Sequence, residues 1–431
     1  MYLICDCDNF YASCERVFNP ACKGKPVAIL SNNDGCIIAR SNELKALGYK
    51  MGDPFFQVKE RLQRDGVCVF SSNYNLYGDM SRRVMMLLSQ YSPDFWQYSI
   101  DEGFLGLSGF EERAKACGKP LNDYLHDYGM DIQQTITRGT GIPVTIGIAP
   151  TKTLAKMASK FGKKYPAYQH VCMIDNEERR EKALKLFPVE DVWGIGWRSH
   201  EKLSYYGIHT AWDLAEKSES WIKRELKLPG VRTWKELHGI DCISVEELPE
   251  KKSICTSRSF ADQGLTQLCD MEEAIANFTA TCARKLQDQH TVCQNITIFA
   301  HTSRFATNEP QRYIYRSMLL PVPTNAQQEL VSYAMAALRA EWREGVTYRF
   351  KKAGCIVWGI CSDKAIQTDL FDNIDREKQR RLTDAIHEIN RINGHNTVQL
   401  AIQGTGKKWH LKSEMISRQY TTNINDIIKV K

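Results

Sequence analysis

Apolar residues near the start of the chain fall in short runs, not long stripes. YLICDCD (2–8), KPVAIL (25–30), CIIAR (36–40) and VCVFSS (67–72) predict strands. LYGDMSRRVMMLLSQY (76–91) has helical spacing. WQYSIDEGFLGL (96–107), a helical DYLHDYGMDIQQTIT (123–137) and a strand PVTIGIA (143–149) follow. TKTLAKMASKFGKK (151–164) predicts a basic helix with Leu154, Met157, Ala158 and Phe161 on one stripe. Strands alternating with helices point to an α/β or α+β core. From about 170 to 240, Gly and Pro break short amphipathic helices, as expected of a small helical domain. A new unit starts at KKSICTSRSF (251–260) and reads strand, helix (271–289), strand (295–302), strand (313–321), helix (325–343), strand (349–360). That βαββαβ order is a compact α+β module. SDKAIQTDLFDN (362–373) reads as a polar linker, and a charged helix (375–392) and a tail close the chain.

At 431 residues, two to four domains are expected. An apolar fraction of 43% and a charged fraction of 25% are those of a soluble globular protein. The net charge of +6 is compatible with nucleic acid. No basic n-region precedes an apolar core at the N-terminus, and no run of about 18 apolar residues occurs, so neither a signal peptide nor a membrane span is expected. The 15 cysteines include no C-x-x-C pair. That spacing argues against zinc and disulfide frameworks and for reduced thiols in a cytoplasmic protein.

Two sites break the apolar pattern. Asp6 interrupts the first strand, where a carboxylate costs several kcal/mol unless a cation or donors satisfy it. An N-cap is the competing reading, since Asp8 or Asn9 could start a helix at Phe10; that suits Asp8 well and Asp6 poorly. Asp101 and Glu102 stand between β-type apolar residues, where a hairpin turn with exposed acids is the competing reading. Neighbouring strands could bring Asp6, Asp101 and Glu102 to one sheet edge, and their repulsion would then call for divalent cations. Three carboxylates with few His or Cys partners suit Mg²⁺. Two such ions, roughly 3.5–4 Å apart, serve phosphoryl transfer.

Joined in order, the motifs CDCDNFYASCE (5–15), LSNNDGCIIARSNELKALGYKMGDP (30–54), FSSNYNLYGDMS (70–81), YSIDEGF (98–104), TIGIAPTKTLAKMAS (145–159) and VWGIG (192–196) resemble the Y-family translesion DNA polymerases. The likeness is strongest to the UmuC branch, whose terminus SRQYTTNINDIIKVK (417–431) also resembles, and it covers essentially the whole chain. It implies an α+β multidomain right hand: a palm over 1–11 and 73–168, small fingers over 12–72, a helical thumb with a helix-hairpin-helix over 169–245, a βαββαβ little finger over 250–360, and a C-terminal tail over 361–431.

The resemblance also implies roles. Asp6, Asp101 and Glu102 would be the metal-binding catalytic acids, with the main-chain carbonyl of Cys7 as a further ligand to two Mg²⁺ ions. Phe10 and Tyr11 would border the incoming nucleotide. Tyr11 matches the steric gate against a ribose 2′-OH; ordinary core packing competes, and suits Phe10. Lys163 matches the triphosphate lysine, with Lys160 and Lys164 within one turn. Asn42 and Lys45 replace the Tyr and Arg that many relatives place on the triphosphate; Lys45 is a point charge without the guanidinium fork. Gly103 and Gly106 depart from the commoner residues and would loosen the strand beside the acids. Gly194, Ile195 and Gly196 would present backbone N–H groups to DNA phosphates, a plain αα turn being the alternative. Gln367, Leu370 and Phe371 resemble the bacterial sliding-clamp motif, docking on the chain's own surface being the alternative. Gln403–Lys408 lacks the first glycine and the Ser or Thr of a phosphate loop and reads as a turn.

The expected function is error-prone translesion synthesis in the bacterial SOS response. Primer–template DNA and deoxynucleoside triphosphates would be substrates. A sliding clamp, a processed UmuD dimer and a recombinase filament would be partners, and none is a membrane. A two-metal nuclease or phosphodiesterase, or an inactive damage-response scaffold, are the alternatives.

Overall fold

Strand alternation sets the layers of the catalytic half. Along β1 (Tyr2–Cys7), Leu3, Cys5 and Cys7 enter one core layer and Ile4 the opposite one. Asp6 has the parity of Ile4 and therefore faces the second layer. The computed structural model describes the chain apart from residues 245–250, 262–263, 365, 368, 395, 406–408, 410 and 429–431. The chain forms two units, Met1–Leu248 with Glu414–Lys431, and Pro249–Ser413.

In the first unit, β1 is followed by α1 (Phe10–Phe18), β2 (Val27–Leu30), β3 (Ile37–Arg40), α2 (Asn42–Ala46), α3 (Phe55–Arg64) and β4 (Cys68–Ser71). Then come α4 (Tyr74–Leu88), β5 (Phe95–Gln97), β6 (Glu102–Gly106), α5 (Phe110–Ala116), α6 (Leu121–Thr140), β7 (Val144–Ala149), α7 (Lys152–Lys164) and β8 (Val171–Met173). The helices α8 (Glu177–Leu186), α9 (Trp197–Tyr205), α10 (Ala211–Ala215) and α11 (Glu219–Leu237) follow. A five-stranded sheet has the order β5-β6-β1-β7-β8, with β1 antiparallel to both β6 and β7. β8, which the sequence reading did not anticipate, pairs parallel to β7 and carries this sheet past residue 168. A separate sheet, β3-β2-β4, holds the residues expected in the fingers.

The expected apolar stripe of α7 is buried against the sheet: Leu154, Met157, Ala158 and Phe161 join Ile4 and Phe104 in one cluster. Gly147 of β7 permits this approach. A Cβ there would lie 2.1 Å from the Ala155 carbonyl oxygen and 2.5 Å from the Ser159 nitrogen. Gly103 and Gly106 do not loosen their strand as expected. Added Cβ atoms would fall 2.8 Å from Leu88 and 2.8 Å from Asp94, so both glycines serve close packing.

The second unit contains β9 (Ser253–Ser259), α12 (Leu268–Asp288), β10 (Thr291–Thr302), β11 (Tyr313–Thr324), α13 (Gln327–Glu341), β12 (Phe350–Ser362) and α14 (Arg376–Asn393). Its antiparallel sheet, β11-β10-β12-β9, packs on the two helices through Met271, Ile275, Phe278, Ile296, Ile298 and Val357. The stretch expected as a single tail over 361–431 is divided. Trp409 is buried in the second unit, 5.5 Å from the Phe278 ring, and buried Gln403 accepts from the Asn277 amide through its carbonyl. Residues from Glu414 onward belong to the first unit. Gly406–Lys408 of the turn lie outside the described residues, as do 245–250 between the expected thumb and little finger.

Gly147→Ala is expected to cost about 3 kcal/mol or more, because the obstructing atoms are backbone and cannot rotate away. A urea midpoint equal to wild type would contradict the close seating of α7 on β7.

Candidate active site

Register builds the site. Asp6 stands directly opposite Glu102 on β6 and opposite Thr145 on β7, so all three share the face covered by α7. Asp101 lies one residue before β6 in the hairpin turn, and its carbonyl accepts the Cys7 N–H at 2.9 Å. The Ser99 hydroxyl oxygen accepts the N–H groups of both Asp101 and Glu102 at 3.1 Å, and its O–H donates to the Asp101 carboxylate at 2.5 Å. The hairpin reading is therefore correct for the backbone, but the acids are half-buried and not exposed.

Helix α7 supplies the counter-charge. Lys163 Nζ lies 2.6 Å from Asp6 and 3.2 Å from Asp8. Lys156 Nζ, two turns earlier, donates to both Glu102 oxygens at 2.7 and 2.9 Å. Lys160 points elsewhere, to Asp191 at 2.8 Å, and Lys164 lies over the Tyr165 ring. Burial pushes the Asp6 carboxyl up to about 6; Lys163 opposes this, while the charges of Glu102 and Asp101 add to it. Asp8 does not cap α1. Asn9 holds the cap position in a left-handed conformation without a side-chain cap bond. Asp8 instead accepts from the Thr145 hydroxyl at 3.0 Å and lies 3.4 Å from His170 Nδ1, which raises the imidazole pKa.

Asp6, Asp8, Asp101, Glu102, Lys163 and His170 line a cavity of about 580 Å³ with Cys7, Phe10, Tyr11, Asn42 and Lys45. Phe10 is buried in the core as well as bordering the cavity. Tyr11 is half-buried and stacks on Tyr77 at 4.4 Å. Lys45 Nζ donates to Asn9 Oδ1 at 2.5 Å, and Asn9 donates to Asn42 Oδ1 at 3.1 Å. Burial, then repulsion from Lys163 and Arg40, lowers the Lys45 pKa. One wall thus gathers cations while the floor gathers carboxylates, the charge pattern for an anion bound beside metal.

Gly194, Ile195 and Gly196 do not line this cavity. Gly194 adopts a positive φ and Gly196 caps α9. Ile195 is buried and gives its N–H to the Val192 carbonyl at 3.0 Å, so that N–H is committed to the turn. The neighbouring Trp193 donates to the Tyr98 hydroxyl at 3.1 Å, and both rings flank Lys156. In the second unit, Leu370 and Phe371 are 98% and 87% exposed. Gln367 is exposed too, while Thr368 lies outside the described residues.

Residues 5–160 match the impB/mucB/samB family, 251–370 match that family's C-terminal domain, and 380–430 match a domain of unknown function. The chain is 41% identical to Protein UmuC of Salmonella typhimurium across 100% of both chains. It is 40% identical to Protein ImpB of Salmonella typhimurium across 99% of each. This chain belongs to the impB/mucB/samB family, UmuC-type Y-family DNA polymerases. A solved Y-family DNA polymerase chimera shares the fold, with a TM-score of 0.64 and 19% identity over 84% of this chain and 100% of that one.

Membership of this family implies dependence on a divalent metal, and the donor set fits one: three half-buried carboxylates with mutual repulsion, and a main-chain carbonyl, are hard oxygen ligands. Among the described residues no group of three His, Cys, Asp or Glu side chains stands together at metal-binding distance; Lys156 pairs with Glu102 and Lys163 with Asp6. Lys156, Asp8, Asn9 and His170 escaped the sequence reading as members of the site. For Lys156 the available signal was its seven-residue spacing from Lys163 on one helix face.

A carboxyl raised from 3.8 to about 6 makes the folded state bind more protons than the unfolded one in that window. Stability therefore falls as pH rises through it, by up to about 3 kcal/mol for Asp6. Asp6→Asn, measured metal-free in urea, is expected to be more stable than wild type at pH 7.5 and nearly equal at pH 4. Equal stabilities at pH 7.5 would contradict the electrostatic account of this site.

Proposed function

We propose that the chain is an error-prone translesion DNA polymerase of the bacterial SOS response, extending a primer 3′-OH with deoxynucleotides by two-metal-ion chemistry with Mg²⁺. The single observation that carries the reading is the antiparallel register that sets Asp6 against Glu102 beneath α7, beside a cation-lined cavity walled by Tyr11. Asp6, Asp101, Glu102 and the Cys7 carbonyl would hold the ions. When bound, the ions supply Lewis-acid activation of the primer hydroxyl and neutralise the leaving pyrophosphate. The 3′ oxygen would bond to the α-phosphorus, the bond from that phosphorus to the pyrophosphate oxygen would break, and the hydroxyl proton would pass to solvent water.

The chain's own residues bind and sort. Lys163 and Lys45 draw the triphosphate. Asn9 and Asn42 hold the Lys45 ammonium in place of a guanidinium fork. Tyr11 stands where a 2′-OH would clash. The five-stranded sheet serves as palm, β3-β2-β4 as the core of small fingers, α8–α11 as thumb, and the second unit's sheet as little finger. Small fingers enclose the nascent pair loosely, which lowers the difference in transition-state binding between right and wrong pairs. Gly194 and Gly196 suit sequence-independent contact with backbone phosphates.

Gln367, Leu370 and Phe371 form the proposed clamp-binding motif, supported by the near-complete exposure of both apolar side chains in a polar linker. The resemblance further implies a processed UmuD dimer and a recombinase filament as accessory partners. Among the described residues no helix is long and apolar enough to cross a membrane, and a cytoplasmic site of action follows from the proposed reaction.

Asp101→Ala and Glu102→Ala are each expected to lower primer extension on a labelled primer–template roughly 10³-fold or more. Undiminished extension, or shortening of the primer by the wild type, would overturn the reading. Leu370→Ala with Phe371→Ala is expected to abolish stimulation by the clamp and spare basal extension; full stimulation of the variant would remove the clamp assignment.

A further inference from the structure

The last described stretch of the chain returns to the catalytic unit as a strap. Ser71 N–H donates to the Met415 carbonyl at 3.0 Å, and Ile416 forms a parallel bridge with Ser71, extending the β3-β2-β4 sheet at its β4 edge. The Met415 N–H donates to the Ser71 hydroxyl at 3.0 Å, and Glu414 N–H donates to the Asp34 carboxylate at 3.0 Å. Beyond this the strap grips α1 and α4. Asn73 donates to the Ser417 hydroxyl at 2.9 Å and to the Arg418 carbonyl at 3.2 Å, and Tyr420 stacks on Phe18 at 5.0 Å.

One strap contact runs inward to the cavity. The Ser417 hydroxyl donates at 3.0 Å to Glu15 Oε1, and the Tyr77 hydroxyl donates to the same oxygen at 2.7 Å. Glu15 and Tyr77 are fully buried. The Tyr77 ring lies 4.4 Å behind the Tyr11 ring with 15° between planes, and Tyr74 meets Tyr11 edge-on at 6.1 Å. Side chains of the first unit, from α1, α4 and the strap, thus form a continuous chain of contacts from Ser417 to the wall of the nucleotide cavity.

We propose that Tyr77, held by Glu15 and by Ser417 of the strap, is a positioning residue for sugar selection: it backs the Tyr11 ring so that the ring cannot yield to a 2′-OH. The inference rests on the reading of Tyr11 as the gate. A gate works by sterics only as far as it is stiff. A ring free to leave its rotamer gives way at a cost worth only about tenfold in rate. A second ring stacked behind it, itself pinned by a buried carboxylate that accepts two hydroxyl protons, removes that escape. Residues 414–428, within the stretch matched as a domain of unknown function, acquire a role in substrate specificity.

The test compares kcat/KM for ribonucleotide and deoxyribonucleotide insertion on one primer–template, in full-length variants. Tyr77→Ala is expected to raise the ribo-to-deoxy ratio roughly tenfold. Tyr77→Phe and Glu15→Gln, which preserve shape, and the double variant Ser417→Ala, Tyr420→Ala are expected to raise it several-fold, with deoxyribonucleotide insertion by the double variant close to wild type. A merely structural role would lower both rates together and leave the ratio unmoved. Tyr11→Ala is the reference. If it relaxes the ratio while Tyr77→Phe, Glu15→Gln and the strap variant all leave it at the wild-type value, the inference is overturned and the gate stands. If Tyr11→Ala itself leaves the ratio unchanged, the gate reading fails and the inference with it. Should Tyr77→Ala not fold, the isosteric variants decide.

Discussion

The site depends on the antiparallel register of β1 between β6 and β7. A slip of one residue would turn Asp6 into the layer of Leu3, Cys5 and Cys7 and remove it from Glu102 and Thr145. The register is held from both faces. Leu3 and Cys5 belong to one apolar cluster, Ile4 and Phe104 to the other, and α7 presses on the second face through Gly147. The apolar core therefore does more than stabilise: it aligns three acids from segments about ninety residues apart.

Function and stability pull in opposite directions at this point. Carboxylates collected on a largely buried sheet face repel one another, and desolvation adds to the cost. The α7 lysines offset part of it, each reaching a different acid from one helix face. Aromatic rings from the turn before α9 and from the β5–β6 hairpin close around Lys156, so the helical domain also helps set the charge pattern of the sheet. The result is a cavity with anionic floor and cationic wall, suited to hold metal and polyphosphate together.

Much of this was legible in the sequence. The apolar runs located the strands, the α7 stripe was identified by its period, and the quoted motifs placed Asp6, Asp101, Glu102, Tyr11, Lys45 and Lys163, which the fold then brings to one cavity. What was not legible depends on pairing across distance. Asp8 reads locally as a cap, and only the β1–β7 register shows it beside Thr145. Lys156 reads as a solvated lysine until Glu102 is set opposite it. β8 is three residues long and has no period to detect. The strap over 414–428 has no amphipathic period because main-chain and polar contacts hold it together with isolated apolar contacts at Met415 and Tyr420, and Gly103 and Gly106 looked permissive because the side chains that crowd them come from other elements.

The central claim, that β1 register converges Asp6, Asp101 and Glu102 on a divalent-metal site, is tested most directly by anomalous diffraction from crystals grown with Mn²⁺, primer–template and a non-hydrolysable deoxynucleotide. The account predicts metal peaks bounded by these three carboxylates and the Cys7 carbonyl, with the Lys163 ammonium moved from Asp6 toward phosphate. Metal bound elsewhere, or a clear map with no metal between Asp6 and Glu102, would contradict it.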